Sequence, residues 1–181
     1  MEQNRKPAAN TCNFSGVKPA MMDLPYPPTQ VKGQNRDYAM LLSHDYCGSV
    51  SEMTAIAQYI NNENRMSCEK CPFAKTILGI AMAEMIHLQK LGELIYLLGG
   101  NVDFAAKQPG GRQKLWTPAY ADVPQDIKQM VWADIEAEKA AIKQYKVHIN
   151  RIQDEYVNAV LMRIIKDEEY HMMLLQALLE D

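Results

Sequence analysis

Glu52-Met-Thr-Ala-Ile-Ala-Gln-Tyr59 and Glu138-Lys-Ala-Ala-Ile-Lys-Gln-Tyr145 are the same word, E-x-x-A-I-x-Q-Y, written twice. A second repeated word follows each of them: Glu84-Met-Ile-His87 and Glu168-Glu-Tyr-His171 both read E-x-x-H. The offsets agree, with 138 − 52 = 86 and 168 − 84 = 84, so the chain is a helical hairpin written twice. A spacing of three puts the Glu and His of each E-x-x-H on one helical face. Each hairpin then offers one carboxylate from its first helix and a carboxylate plus an imidazole from its second. In a four-helix bundle that set is the ligand inventory of a dinuclear metal centre.

The flanking pattern agrees. Apolar or small residues at 42, 45/46, 49, 52/53, 56, 59 and 60 keep the 3.6-residue period and predict a first helix over 37–61. A short link over 62–71 follows, and Pro72 suits the opening of a second helix that Gly99-Gly100 stops. The connection over 101–124, with Pro109-Gly-Gly111 and Trp116-Thr-Pro118, is long enough to cross a bundle. Helices over 125–149 and 154–179 complete the set, almost continuous in sequence. The expectation is an all-α fold: a four-helix bundle over 35–181, two helical hairpins joined by a long crossover, with no strand of useful length. Ahead of it, residues 1–34 carry Pro7, Pro19, Pro25, Pro27 and Pro28, which exclude a regular helix. Phe14, Leu24, Tyr26 and Val31 give this extended arm apolar groups to pack with.

Composition narrows the setting. The 181 residues are 48% hydrophobic, enough for one domain with a sizeable core. A net charge of −3 gives no reason to expect nucleic acid as a partner. Met1-Glu-Gln-Asn-Arg-Lys-Pro7 leads into no apolar run, which argues against a secretory signal. No run of about 18 uncharged apolar residues suggests a membrane span. Cys12, Cys47, Cys68 and Cys71 are unevenly placed, unlike a secreted disulfide framework, so the expected setting is cytoplasmic.

Every candidate ligand sits where a charge is expensive. Glu84 shares its helical stripe with Ile77, Ile80 and Leu91, and an unpaired buried carboxylate must pay a desolvation cost or shift its pKa until neutral. A divalent metal removes the problem. One E-x-x-H on a helix is common and carries no weight; two, each preceded by a matching word, single out Glu52, Glu84, His87, Glu138, Glu168 and His171. Oxygen and imidazole donors suit iron or manganese better than a thiolate-type metal. Tyr59 and Tyr145 each lie seven residues after their glutamate (59 − 52 = 7) and are expected to hydrogen-bond ligands contributed by other helices.

In these residues the chain resembles the ferritin-like di-iron carboxylate superfamily, which includes bacterioferritins, rubrerythrins and the dimanganese catalases. The likeness covers roughly 37–181 and leans toward dimanganese catalases and their small spore-coat relatives. It implies that Glu52 is the first-helix ligand, Glu84 and His87 the second-helix pair, Glu138 the third-helix ligand, and Glu168 and His171 the fourth-helix pair. Asp167-Glu-Glu-Tyr-His171 also resembles the bacterioferritin form of that helix. Two iron or manganese ions per chain are implied, with an oxidoreductase acting on hydrogen peroxide or dioxygen in a catalase-, peroxidase- or ferroxidase-type reaction. The latter types need an electron donor. A structural or coat-associated metal-binding protein, or an iron storage protein, is the alternative.

Departures narrow the choice further. The extra third-helix carboxylate of rubrerythrins is missing, since Ile135 and Ala141 flank Glu138. The sequence ends ten residues after His171 (181 − 171 = 10), short of the fifth helix of cage-forming ferritins, which disfavours storage. A homodimer or other small homo-oligomer is expected, with Met85, Ile86 and Leu97 on an apolar second face. Bacterioferritins bind haem through a methionine at the position matching Met85; core or interface filling is the commoner use of methionine, and haem is not expected.

Cys68-Glu-Lys-Cys71 reads as a redox pair, as half of a zinc site, or as two loop thiols. Cys47 reads as packing, and His44 and His148 as surface or satisfied histidines. Trp116 and Tyr120 would pack over the bundle side, where a lid and plain packing look alike; Lys139, Lys143 and Lys146 form a solvated face.

Overall fold

The computed structural model describes residues 12–180. Its helices are α1 (Arg36–Cys47), α2 (Glu52–Met66), α3 (Cys71–Leu97), α4 (Ile127–Arg151) and α5 (Glu155–Glu180). α1 and α2 follow one another along α3, α4 pairs with α5, and the two hairpins meet through α2–α4 and α3–α5. This is the expected four-helix bundle, except that two segments share the first position.

The break in the first helix corrects the continuous 37–61 helix, and Gly48-Ser-Val-Ser51 explains it. The Gly48 N–H closes α1 on the His44 carbonyl at 2.9 Å, and a Cβ at residue 48 would lie 2.6 Å from that oxygen. Ser51 then restarts the helix, its hydroxyl accepting from Thr54 N–H at 3.2 Å. Glu52 is thereby the first residue of α2, which runs on to Met66 and shortens the expected link. α4 and α5 part at Ile152, and the Asp154 carboxylate accepts from the N–H groups of Tyr156 and Val157 at 3.0 and 3.4 Å.

The crossover holds a small hairpin that the sequence reading missed: β1 (Ala105–Lys107) antiparallel to β2 (Gln113–Leu115), with Ala106 opposite Lys114. Strands this short leave no readable alternation. Lys107 N–H donates to Ser43 Oγ at 2.8 Å and its carbonyl meets His44 Nε2 at 2.7 Å, docking the hairpin on α1. Trp116 Nε1 donates to Thr54 Oγ1 at 3.0 Å, holding the crossover over α2.

Two apolar clusters stabilise the bundle. One gathers Leu42, Leu91, Leu94, Leu98, Val160, Leu161 and Ile164; the other gathers Met66, Ile77, Ile80, Met130, Val131, Ile135 and Leu175. Along both α3 and α5 the E-x-x-H word falls between the two clusters, so the polar residues sit in the dry middle. α3 is apolar and long enough, by length and composition alone, to cross a membrane, although Lys75, Glu84, Lys90 and Glu93 interrupt it and it holds no uncharged run of about 18 residues. Here it supplies core contacts to both clusters and carries Glu84 and His87, both buried.

The arm is extended and lies across α3 and α5. Ala20 N–H donates to the Gly79 carbonyl at 2.8 Å, and Arg163 Nη2 donates to the Met22 and Leu24 carbonyls at 2.8 and 3.0 Å. Phe14, Tyr26 and Val31 pack on the apolar clusters, whereas Leu24 is exposed. The beginning of the arm, with Pro7, lies outside the described residues. Cys12 is disulfide-bonded to Cys71, their Cα atoms 5.3 Å apart. This corrects the reading of Cys68 and Cys71 as a pair: Cys71 is taken by the arm and Cys68 is an exposed free thiol. Cys47 is buried, where desolvation pushes its thiol up to about 11.

Candidate metal centre

Glu52, Glu84, His87, Glu138, Glu168 and His171 all lie buried at the bundle centre. They form two overlapping groups, Glu52–Glu84–His87–Glu168 and Glu84–Glu138–Glu168–His171, with the ligand atoms of each within 4.8 Å of one another. His87 Nδ1 lies 2.7 Å from Glu84 Oε2, 3.3 Å from Glu168 Oε1 and 3.9 Å from Glu52 Oε2. His171 Nδ1 lies 3.1 Å from Glu84 Oε1, 3.0 Å from Glu168 Oε2 and 3.3 Å from Glu138 Oε1. Glu84 and Glu168 each turn one oxygen toward either histidine, while Glu52 and Glu138 serve one side each. The arrangement has an approximate two-fold axis, as the duplicated sequence requires.

Burial, reinforced by the charges of Glu84 and Glu168, pushes Glu52 and Glu138 well above the usual carboxylate range. Burial also works against the charge of Glu84, but His87 and His171 hold that carboxyl well below its ordinary range. Both imidazoles would be driven down by burial, and the facing carboxylates raise them instead. Glu84 Oε1, both Glu168 oxygens and His171 Nδ1 have no hydrogen bond. Buried polar atoms are rarely left so. The converging oxygen and imidazole nitrogen donors fit two divalent cations, which would displace the protons these groups otherwise hold and neutralise the carboxylates.

The outer nitrogens are anchored. His87 Nε2 meets Asp167 Oδ2 at 3.1 Å, and His171 Nε2 meets the Ala20 carbonyl at 2.8 Å. A carbonyl can only accept, so His171 Nε2 carries hydrogen and Nδ1 is the ring nitrogen turned to the glutamates, free to hold a metal once deprotonated. Asp167 also accepts from Met22 N–H and the Tyr26 hydroxyl, each at 2.8 Å, and pairs with Arg163 Nη1 at 2.6 Å. Burial raises its carboxyl, yet His87, Arg163 and Met22 outweigh that and bring it to about 2.

Each tyrosine reaches across to the other hairpin: the Tyr59 hydroxyl donates to Glu138 Oε1, and the Tyr145 hydroxyl to Glu52 Oε1. Two buried carboxylate clamps lie further out. Gln58 and Asn62 hold Asp134 at 2.8 and 2.9 Å, while Gln144 and His148 hold Asp45 at 2.8 and 2.7 Å. Burial raises Asp45, and raises Asp134 to about 7 against its hydrogen bonds. The sequence reading missed Asp167, Asp134 and Asp45, though Gln58 and Gln144 stand in the repeated word itself and carried the available signal. His148 is the satisfied histidine expected.

A cavity of about 210 Å³ opens between α2 and α4 onto Glu52, Glu84, Glu138 and Glu168. Ala55, Ala133, Ala137 and Ala141 keep it open by their small size, and Tyr120 and Asp122 of the crossover line it. Tyr120 thus reaches the path to the cluster. Met85 is 46% exposed on the outer side of α3.

Bundle and donor set together define a protein of the ferritin-like dimetal-carboxylate superfamily. Residues 50–181 match the family model of the ferritin-like domain, and the chain belongs to that family. It is 24% identical over 159 residues to a probable manganese catalase of Clostridium acetobutylicum, covering 78% of this chain and 70% of the relative. Among solved structures, KatB, a manganese catalase from Anabaena, matches with a TM-score of 0.74 at 23% identity over 88% of this chain and 78% of that one. The Mycobacterium tuberculosis bacterioferritin BfrA matches with a TM-score of 0.67 at 24% identity over 82% and 87%. These likenesses establish a shared fold.

Proposed function

We propose that Glu52, Glu84, His87, Glu138, Glu168 and His171 hold two manganese or iron ions per chain, and that the protein is an oxidoreductase consuming hydrogen peroxide, with dioxygen as the alternative substrate. The observation that carries this reading is the shared placement of Glu84 and Glu168 between two histidines beside a small cavity. Such a pair of ions supplies reversible one-electron changes at adjacent centres. In peroxide disproportionation one peroxide is oxidised to dioxygen and another reduced to water, so no outside reductant is needed; a peroxidase or ferroxidase would need an electron donor. The alanine-walled cavity of about 210 Å³ has room for a molecule of peroxide size. Tyr59 and Tyr145 keep their protons, because burial raises both phenols well above their ordinary range. They therefore act as hydrogen-bond donors that hold Glu138 and Glu52 in place.

Metal analysis of protein purified without added metal, followed by oxygen-electrode recording after a peroxide pulse, tests the reading. Two ions per chain with one dioxygen released per two peroxides is the expected result. Bound metal without oxygen release favours a structural or coat-associated metal protein instead. A small homo-oligomer, a homodimer by default, is proposed from the exposed Met85, Tyr96 and Leu97 of α3. Light scattering checks it, and a shell-sized particle would restore iron storage. A cytoplasmic setting remains the proposal from the sequence, to be checked by fractionation; the Cys12–Cys71 bond is the feature that argues for an oxidising one.

A further inference from the structure

Two features meet in the arm. It meets the outer nitrogen of His171 directly and that of His87 through Asp167, and its first described residue is covalently bonded to the start of α3. Resting on the metal-centre reading above, we propose that residues 12–26 form a disulfide-latched strap that positions His171 and His87 for metal binding, and that reduction of the Cys12–Cys71 bond loosens the site.

The strap acts on His171 directly, through the Ala20 carbonyl at 2.8 Å from Nε2. It acts on His87 through Asp167, whose two oxygens take Met22 N–H and the Tyr26 hydroxyl while Oδ2 also faces His87 Nε2. Arg163 binds both sides of this arrangement, donating to the Met22 and Leu24 carbonyls, pairing with Asp167 and lying 4.5 Å from the centre of the Tyr26 ring. The approach to α3 is close: a Cβ on Gly79 would lie 3.1 Å from the Lys18 carbonyl oxygen and 3.5 Å from Ala20 Cβ. A larger residue at 79 would push the strap away from the helix.

The strap has an anchor at each end. Downstream, Lys32 N–H donates to Asp154 at 2.8 Å and Asn35 N–H to the Leu98 carbonyl at 3.0 Å. Upstream, the anchor is the Cys12–Cys71 bond, eight residues before Ala20 (20 − 12 = 8). Between them Phe14, Ala20 and Tyr26 pack on the apolar clusters, while Met22 and Leu24 are exposed and add little apolar hold. Opening the latch is a balanced two-electron step. A dithiol reductant delivers two electrons to the S–S bond, Cys12 and Cys71 each take a proton, and the dithiol closes to its own disulfide. Cys68, exposed and three residues ahead of Cys71, is the competing partner for that sulfur.

The test uses the full chain with and without a dithiol, together with Cys12→Ser and Gly79→Val. Hydrogen exchange read by mass spectrometry on the metal-free protein reports the strap. Exchange over residues 20–26 should quicken about tenfold on reduction or in Cys12→Ser, with the α2–α5 amides unchanged. Titration with Mn²⁺ reports the consequence, a fall in affinity of about 10- to 100-fold, the range for removing partners that orient metal ligands. Gly79→Val should weaken Mn²⁺ binding with the disulfide intact, which separates positioning from the bond itself. Exchange unchanged by reduction, or faster exchange with Mn²⁺ affinity unchanged, would overturn the proposal. So would a non-reducing peptide map that joins Cys68, not Cys12, to Cys71. If the oxidised protein binds neither Mn²⁺ nor Fe²⁺, the metal-centre reading fails, and the exchange rates alone still decide whether the bond latches the arm.

Discussion

On the His87 side of the cluster the outer ring nitrogen meets a side chain, Asp167 Oδ2 at 3.1 Å; on the His171 side it meets a backbone, the Ala20 carbonyl at 2.8 Å. The repeat explains the difference. Asp167 precedes Glu168, and its counterpart before Glu84 is Ala83 (167 − 84 = 83), which has no group to offer. The duplicated helices therefore set the inward donors alike, and the arm fills the place that the repeat leaves vacant. The clamps behave the same way. Gln58 and Asn62 correspond to Gln144 and His148 (144 − 58 = 86, 148 − 62 = 86), but the counterpart of Asp134 is Gly48 (134 − 86 = 48). Gly48 lies in the helix break, and Asp45 supplies the carboxylate instead.

The inward symmetry is tested hardest by deleting both imidazoles. His87→Ala with His171→Ala should leave no measurable bound iron or manganese by elemental analysis, with the helical circular dichroism kept. Full metal occupancy in that variant would falsify the donor assignment.

Removing the side-chain anchor comes next. Asp167→Ala strands the buried Arg163 guanidinium and should cost about 3–5 kcal/mol in urea unfolding, the usual penalty for breaking a buried pair. Because the folded carboxyl is depressed to about 2, this stabilisation is present above the unfolded value near pH 4. It should fade as pH falls through about 2, and the variant should lack that loss. A difference below 1 kcal/mol (roughly the value of an exposed pair) would show that the arm carries His87 without Asp167.

The clamps predict an effect of opposite sign. Asp134 is raised to about 7, so wild-type stability should fall as pH rises from the unfolded value near 4 to about 7. Asp134→Asn should flatten that slope and gain about 2 kcal/mol at pH 8, the removed ionisation cost less one weakened hydrogen bond. Urea midpoints at pH 5 and pH 8 read it directly, and parallel shifts at both would contradict the raised carboxyl.

The smallest effects belong to the tyrosines. Tyr59→Phe and Tyr145→Phe should keep metal and fold and lower peroxide turnover by up to about tenfold each, through loosened glutamates. Equal effects support equivalent halves; unequal ones show which half limits turnover.

The inward site was legible because helical periodicity is local: E-x-x-H twice, with E-x-x-A-I-x-Q-Y before each, fixes which side chains share a face. Gly48-Ser-Val-Ser51 with Thr54 was a readable stop and restart, hidden by the apolar period continuing through it. The arm's role was not legible. Ala20 acts through its carbonyl, which any residue possesses, and the pairing of Cys12 with Cys71 depends on where a proline-rich segment crosses α3. Asp167 stood beside the candidate ligand Glu168, but only the folded chain shows that it faces the other hairpin's histidine.

The helix break has one more consequence. Glu52 is the first residue of α2, at the end where unpaired N–H groups give a helix its positive pole, whereas Glu138 lies within α4. Two carboxylates of identical chemistry thus feel different fields. The donor set is symmetric in composition and polarised in charge, like a battery cell with matched plates and unequal electrolytes. Ions entering it should fill the two positions in separate calorimetric steps.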